Sequence, residues 1–118
     1  LGLVYPKAAG KAFGMAIRVP VPDGSLTDMI VRLDNPPDDA EAVNAALRNA
    51  AAGHAKGFLE VSDDPLVSVD IIGNPHSSIV DALSTAQVTA DSFKILAWYD
   101  NEYGYSCRVV DLARRMGA

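Results

Sequence analysis

The sequence predicts an α+β fold: a mixed, mainly antiparallel sheet with helices on one face. Two patterns carry that reading. Apolar side chains alternate over residues 15–21, 25–33 and 93–99, the period of a half-buried strand. Over 38–53 and 103–116 they recur every third or fourth residue, the period of an amphipathic helix. Size is the third observation, since 118 residues, 49% hydrophobic and 21% charged, describe one globular domain rather than two.

Residues 1–14 are rich in small side chains, with Pro6, Gly10 and Gly14, and read as a short helix or loop. Next, Met15, Ile17, Val19 and Val21 share one face and Arg18 and Pro20 the other, with Pro20 and Pro22 marking an edge or a bulge. Asp23-Gly24 is the turn of a hairpin whose second strand, 25–33, has Thr27, Met29, Val31 and Leu33 on one side. Asn35-Pro36-Pro37 breaks the pattern. Asp38-Asp39-Ala40-Glu41 then has the capping-box form and starts a helix at Asp38. Its apolar stripe is Ala40, Val43, Ala46, Leu47 and Ala50, and Gly53 is expected as a left-handed cap.

Extended segments are expected at 58–61 and 67–72, separated by Asp63-Asp64-Pro65, with short strands at 78–83 and 87–89. Phe93, Ile95, Ala97 and Tyr99 mark the last strand. The final helix carries Tyr105, Val109, Leu112, Ala113 and Met116 on one stripe, with Asp100 and Glu102 at its start and Arg114-Arg115 at its end, as the helix dipole favours.

Charge and cysteine usage narrow the function classes. The net charge is −5, and no basic run exceeds Arg114-Arg115, so a nucleic-acid surface has little support. A single cysteine, Cys107, excludes an intramolecular disulfide and a Cys-rich zinc site, and fits a reducing compartment, the cytoplasm by default. No apolar run reaches the ~18 residues of a membrane-spanning helix, and the opening block is too short for a signal peptide. A chain that opens on Leu1 rather than Met reads as cut from something longer. The nine glycines never spell G-x-G-x-x-G or a Walker loop, so the chain alone cradles no dinucleotide pyrophosphate. His54 and His76 lack a second ligand at short spacing, which disfavours a metal site.

Four places could carry chemistry. Cys107 reads as a buried structural thiol, with only Arg108 nearby to activate it. His76 is either a general base or a loop histidine bonded to backbone. Arg18 offers a planar fork of donors to a phosphate or carboxylate, or else forms a salt bridge to Asp28 across the hairpin. The run Trp98-Tyr99-Asp100-Asn101-Glu102-Tyr103-Gly104-Tyr105 packs aromatics and polar groups into a strand-to-helix junction. Such junctions often face ligands, although Asp100 or Asn101 could serve only to cap the helix.

Four collinear strings connect these residues to a known family: Met15-Ala16-Ile17-Arg18-Val19-Pro20-Val21-Pro22, Val67-Ser68-Val69-Asp70, Pro75-His76-Ser77-Ser78, and the stretch from Trp98 through Asp111. Together they closely resemble the C-terminal portion of phosphorylating glyceraldehyde-3-phosphate dehydrogenase, over nearly the whole chain. The resemblance implies that residues 1–118 are a fragment of the catalytic domain, with the nucleotide-binding domain, the catalytic cysteine and the catalytic histidine upstream. Cys107 and His76 match neither catalytic residue. It implies that Arg18 binds substrate or inorganic phosphate, that Asn101 bonds the nicotinamide carboxamide of NAD or NADP, and that Tyr105 packs beside the nicotinamide. It further implies oxidation of glyceraldehyde 3-phosphate through a thiohemiacetal and an acyl-enzyme to 1,3-bisphosphoglycerate, in a homotetramer. Erythrose-4-phosphate dehydrogenase and a non-catalytic assembly module are the alternatives, and the isolated fragment is expected to be inactive.

Overall fold

The computed structural model describes residues 2–117, so Leu1 of the first expected segment lies outside the described residues. Among these, four strands form one sheet in the order β1-β4-β3-β2: β1 Ser25–Arg32, β2 Leu59–Ser62, β3 Ser78–Thr89 and β4 Ser92–Tyr99. β4 pairs antiparallel with β1 and β3, and β2 joins β3 in parallel, which makes the sheet mixed. With the helices α1 Ala40–Ala52 and α2 Tyr103–Met116, the fold is α+β.

Local chemistry sets the elements. Asp39, in extended backbone, accepts the Ala42 N–H at 2.8 Å and so caps α1, one residue later than the expected start. Glu41, expected to close a capping box, bonds Arg48 instead. The helix buries Val43 and Asn44, while Ala46 faces solvent. Asn44 is tolerated there because its Nδ2 donates to the Ala82 carbonyl of β3 at 3.0 Å. Gly53 closes the helix at φ −107°, not in the expected left-handed region, with its N–H on the Asn49 and Ala50 carbonyls. The core against the sheet is small: Phe93, Ile71 and Ile79 are fully enclosed, with Val80, Ala82 and Ala97 beside them.

Three expectations are corrected. Residues 15–21 form no strand and no hairpin with β1; Met15, Ile17, Val19 and Val21 are exposed. Pro20 and Pro22 each lack the N–H a ladder needs, and the intervening Val21 N–H turns back to the Val19 carbonyl at 2.9 Å. β1 pairs instead with β4, Ser25 opposite Tyr99. The extended segment expected at 67–72 is interrupted, because the Asp70 carboxylate accepts the Val67 N–H at 2.8 Å and folds Ser68–Ile71 into a 3₁₀ turn. The two short strands expected at 78–83 and 87–89 are one, β3; its register slips between Asp81 and Ala86, where Asp81 Oδ1 takes the Ser84 N–H.

β4 runs into α2 through Asp100, a residue only 3% exposed. One carboxylate oxygen accepts the Glu102 and Tyr103 N–H groups at 2.8 and 2.7 Å, and the other accepts the Gly73 N–H at 2.8 Å. The first two are orphan donors of the helix start, so Asp100 caps α2 from two residues back. Burial works against ionisation of this carboxyl, yet the backbone N–H groups of Tyr103, Gly73 and Glu102 outweigh it and hold the pKa below the usual value. Two glycines permit the same close packing. Gly24 has φ +91°, and a Cβ there would meet the Ser68 carbonyl at 2.9 Å; at Gly104 a Cβ would meet the His76 carbonyl at 2.8 Å.

Gly104→Ala therefore sets two effects against each other. Helix propensity favours alanine by about 1 kcal/mol, whereas forcing backbone away from backbone costs about 1–3 kcal/mol. The contact is expected to win, so urea unfolding should show a net loss of stability; a gain would mean that the 2.8 Å approach relaxes without cost.

The lowered Asp100 pKa fixes the sign of a pH effect. The unfolded carboxyl titrates at about 3.9, the folded one below that, so its stabilisation is complete above the unfolded value and is lost as pH falls through the folded one. Asp100→Asn is expected to be less stable than wild type near neutrality, where the carboxylate's contribution is complete, and to approach it as pH falls, which flattens the acid limb of unfolding free energy against pH.

Candidate functional site

The antiparallel register brings the start of β1 beside the end of β4, so the Asp23-Gly24 turn meets the strand-to-helix junction across most of the chain's length. Asn101 occupies this meeting point. Its Oδ1 accepts the Gly24 N–H at 3.1 Å and the Ser25 hydroxyl at 3.3 Å. A backbone N–H can be met only by the amide oxygen, which fixes the orientation of the side chain. Among the described residues the Asn101 Nδ2 has no partner, and the residue is exposed. Gly24 shares its N–H with the Asp23 carboxylate at 2.7 Å.

Capping of α2 belongs to Asp100, not Asn101, since the helix N–H groups go to the Asp100 carboxylate. Asn101 is thus held by a distant turn with its amide donors unused, an arrangement suited to a ligand carrying a hydrogen-bond acceptor.

The other candidates are more scattered. Arg18 lies exposed in the irregular segment leading to Gly24 and makes no ion pair among the described residues. The alternative salt bridge to Asp28 is not formed, because Asp28 pairs with Lys94 on neighbouring β4 at 3.1 Å. Tyr105 stands in the first turn of α2, 71% exposed. Cys107 is half-buried within α2 rather than fully enclosed. His76 Nδ1 lies 2.9 Å from both Glu60 Oε2 and Asn74 Oδ1, and its N–H also reaches Asn74. Its partners are side chains rather than the backbone expected of a loop histidine, and they hold the loop before β3 to β2.

Two features escaped sequence reasoning. The pairing of Gly24 and Ser25 with Asn101 depends on the β1/β4 register, to which the only local clue is the Asp23-Gly24 turn. The Gly73 bond to Asp100 links segments too distant for any spacing rule. A concavity of 430 Å³ lies elsewhere, between the Lys56-Gly57-Phe58 loop and the Arg108, Arg114 and Arg115 face of α2. Its central cation, Arg108, is already committed to the Gly57 carbonyl, Ser77, Asp111 and the Phe58 ring 4.5 Å away. The polar chemistry therefore assigns the junction, and not the concavity, as the candidate site. Among the described residues no group of three His, Cys, Asp or Glu could hold a metal ion, and no helix is long and apolar enough to cross a membrane.

Comparison with known proteins bears on this junction. The family model "Glyceraldehyde 3-phosphate dehydrogenase, C-terminal domain" matches residues 1–101. Glyceraldehyde-3-phosphate dehydrogenase 2 of Bacillus subtilis (strain 168) is 51% identical over 118 residues, 100% of this chain and 34% of that protein. Glyceraldehyde-3-phosphate dehydrogenase of Borreliella burgdorferi is 50% identical over 117 residues, 98% of this chain and 35% of its own length. That of Haloarcula vallismortis is 52% identical over 110 residues, 93% and 32% respectively. The chain thus spans about a third of the length of these curated relatives. From the match over 101 residues and this degree of identity, the chain belongs to the glyceraldehyde 3-phosphate dehydrogenase C-terminal domain family.

Proposed function

We propose that the chain is the C-terminal part of the catalytic domain of a phosphorylating glyceraldehyde-3-phosphate dehydrogenase. The complete protein would oxidise glyceraldehyde 3-phosphate with NAD or NADP and capture the acyl group with inorganic phosphate, giving 1,3-bisphosphoglycerate. The observation that carries the reading is Asn101, held at the sheet-to-helix junction with unpartnered amide donors, in a chain of this family. The catalytic cysteine, its histidine base and the dinucleotide turn belong, in this reading, to the portion of the relatives that the chain does not span. A homotetramer in the cytoplasm is part of the same proposal.

Each residue has a distinct task. Asn101 holds the carboxamide and so decides which face of the ring meets the substrate; the coenzyme, when bound, supplies the hydride-accepting ring. Tyr105, exposed at the start of α2, covers the nicotinamide region. Arg18, free of ion pairs among the described residues, orients a phosphate by charge-assisted bonds, which lowers the barrier chiefly through positioning.

In the complete enzyme, Arg18→Ala is expected to reduce kcat/KM for the phosphorylated aldehyde roughly 10- to 100-fold more than for unphosphorylated glyceraldehyde, the equivalent of one charge-assisted bond. Equal losses on the two substrates would remove Arg18 from the phosphate site.

Asn101→Asp keeps the shape, discards both amide donors and brings a negative charge to the ring. Since that charge favours the cationic oxidised ring over the neutral reduced one, kcat falls and relative affinity shifts toward NAD⁺ over NADH. Wild-type kinetics, coenzyme affinities and hydride stereochemistry would contradict the carboxamide role.

A further inference from the structure

Asn101 is an exposed side chain, and an exposed amide without support samples several rotamers. Here it is supported from two sides. Directly preceding it in sequence, the buried Asp100 carboxylate pins the backbone through Glu102, Tyr103 and Gly73. From the opposite side, Gly24 and the Ser25 hydroxyl bind the amide oxygen. These supports are themselves joined. Gly73 follows the Ser68–Ile71 turn, and that turn is the surface on which Gly24 lies, with space for no Cβ between Gly24 and the Ser68 carbonyl.

We infer that Asp100 and Ser25 are positioning residues for Asn101, setting the angle at which its amide donors meet the coenzyme. The inference rests on the reading of Asn101 as the coenzyme contact. Neither residue needs to touch the coenzyme. A reacting ring misplaced by an ångström or a few tens of degrees loses much of its rate while substrate binding elsewhere is intact, so the expected loss falls on kcat. Asp100 matters more than Ser25, because it makes three short bonds to backbone donors in a buried setting, while the Ser25 hydroxyl makes one long bond at the surface.

The test is a pair of double-mutant cycles in the complete dehydrogenase, measuring kcat, KM for coenzyme and KM for glyceraldehyde 3-phosphate below the melting range of every variant. In the presence of Asn101, Asp100→Asn is expected to lower kcat at least roughly 10-fold, and Ser25→Ala roughly 2- to 5-fold, with KM for the aldehyde unchanged. In an Asn101→Ala background both losses should shrink below about two-fold, since nothing is left to position. Losses of equal size in the two backgrounds mean that the residues act on the fold alone and overturn the inference, as does the absence of any loss. If Asp100→Asn does not fold, the Ser25 cycle decides by the same criterion. An Asn101→Ala enzyme with wild-type coenzyme parameters overturns the coenzyme reading itself; an impaired Asn101→Ala enzyme with uncoupled neighbours overturns only the positioning role.

Discussion

The site depends on one buried carboxylate. Asp100 stands where β4 ends and α2 begins, and its two oxygens take up three backbone N–H groups that would otherwise be unmet. A buried acceptor shared by several donors is costly to remove, since each donor left without a partner pays its full desolvation penalty. The strand, the helix and the loop at Gly73 thus have one relative arrangement, and Asn101 inherits it. Neighbours divide the work: Asp100 caps the helix, which leaves the Asn101 amide donors without a partner among the described residues.

Sheet register supplies the second half of the site. Because Ser25 pairs with Tyr99, the Asp23-Gly24 turn arrives beside the junction, and Gly24 comes close enough only as glycine. A residue with a side chain would meet both the Ser68 carbonyl and the left-handed backbone penalty. α2 is seated in the same manner, with Gly104 against the His76 carbonyl and Arg108 reaching across to Gly57, Ser77 and the Phe58 ring. The face carrying Tyr105, Val109, Leu112 and Met116 stays open to solvent.

Much of this was legible in the sequence, for identifiable reasons. β1, β4, α1 and α2 have strong periodicity and simple ends, and the junction stood out by its aromatic and polar content. The misread pieces are those where a distant partner or a single side chain decides. Residues 15–21 alternate like a strand, but alternation says nothing of available N–H groups, and Pro20 removes one within the segment and Pro22 another just beyond it. β3 looked like two strands because Asp81 folds back on Ser84 and breaks the pattern without ending the pairing. An Arg18–Asp28 pair requires the expected hairpin; in the β1/β4 pair Asp28 finds Lys94. The roles of Arg18, Asn101 and Tyr105 were read from family resemblance, and no periodicity could have supplied them.

The proposed function stands or falls with the contact between Asn101 and the coenzyme's carboxamide. A crystal structure of the complete protein with bound NAD tests it most directly. The Asn101 amide is expected within about 3.2 Å of a carboxamide heteroatom, with the Asp100 bonds to Gly73, Glu102 and Tyr103 intact. A carboxamide met by other groups, with Asn101 still turned to Gly24 and out of hydrogen-bond reach, would contradict it.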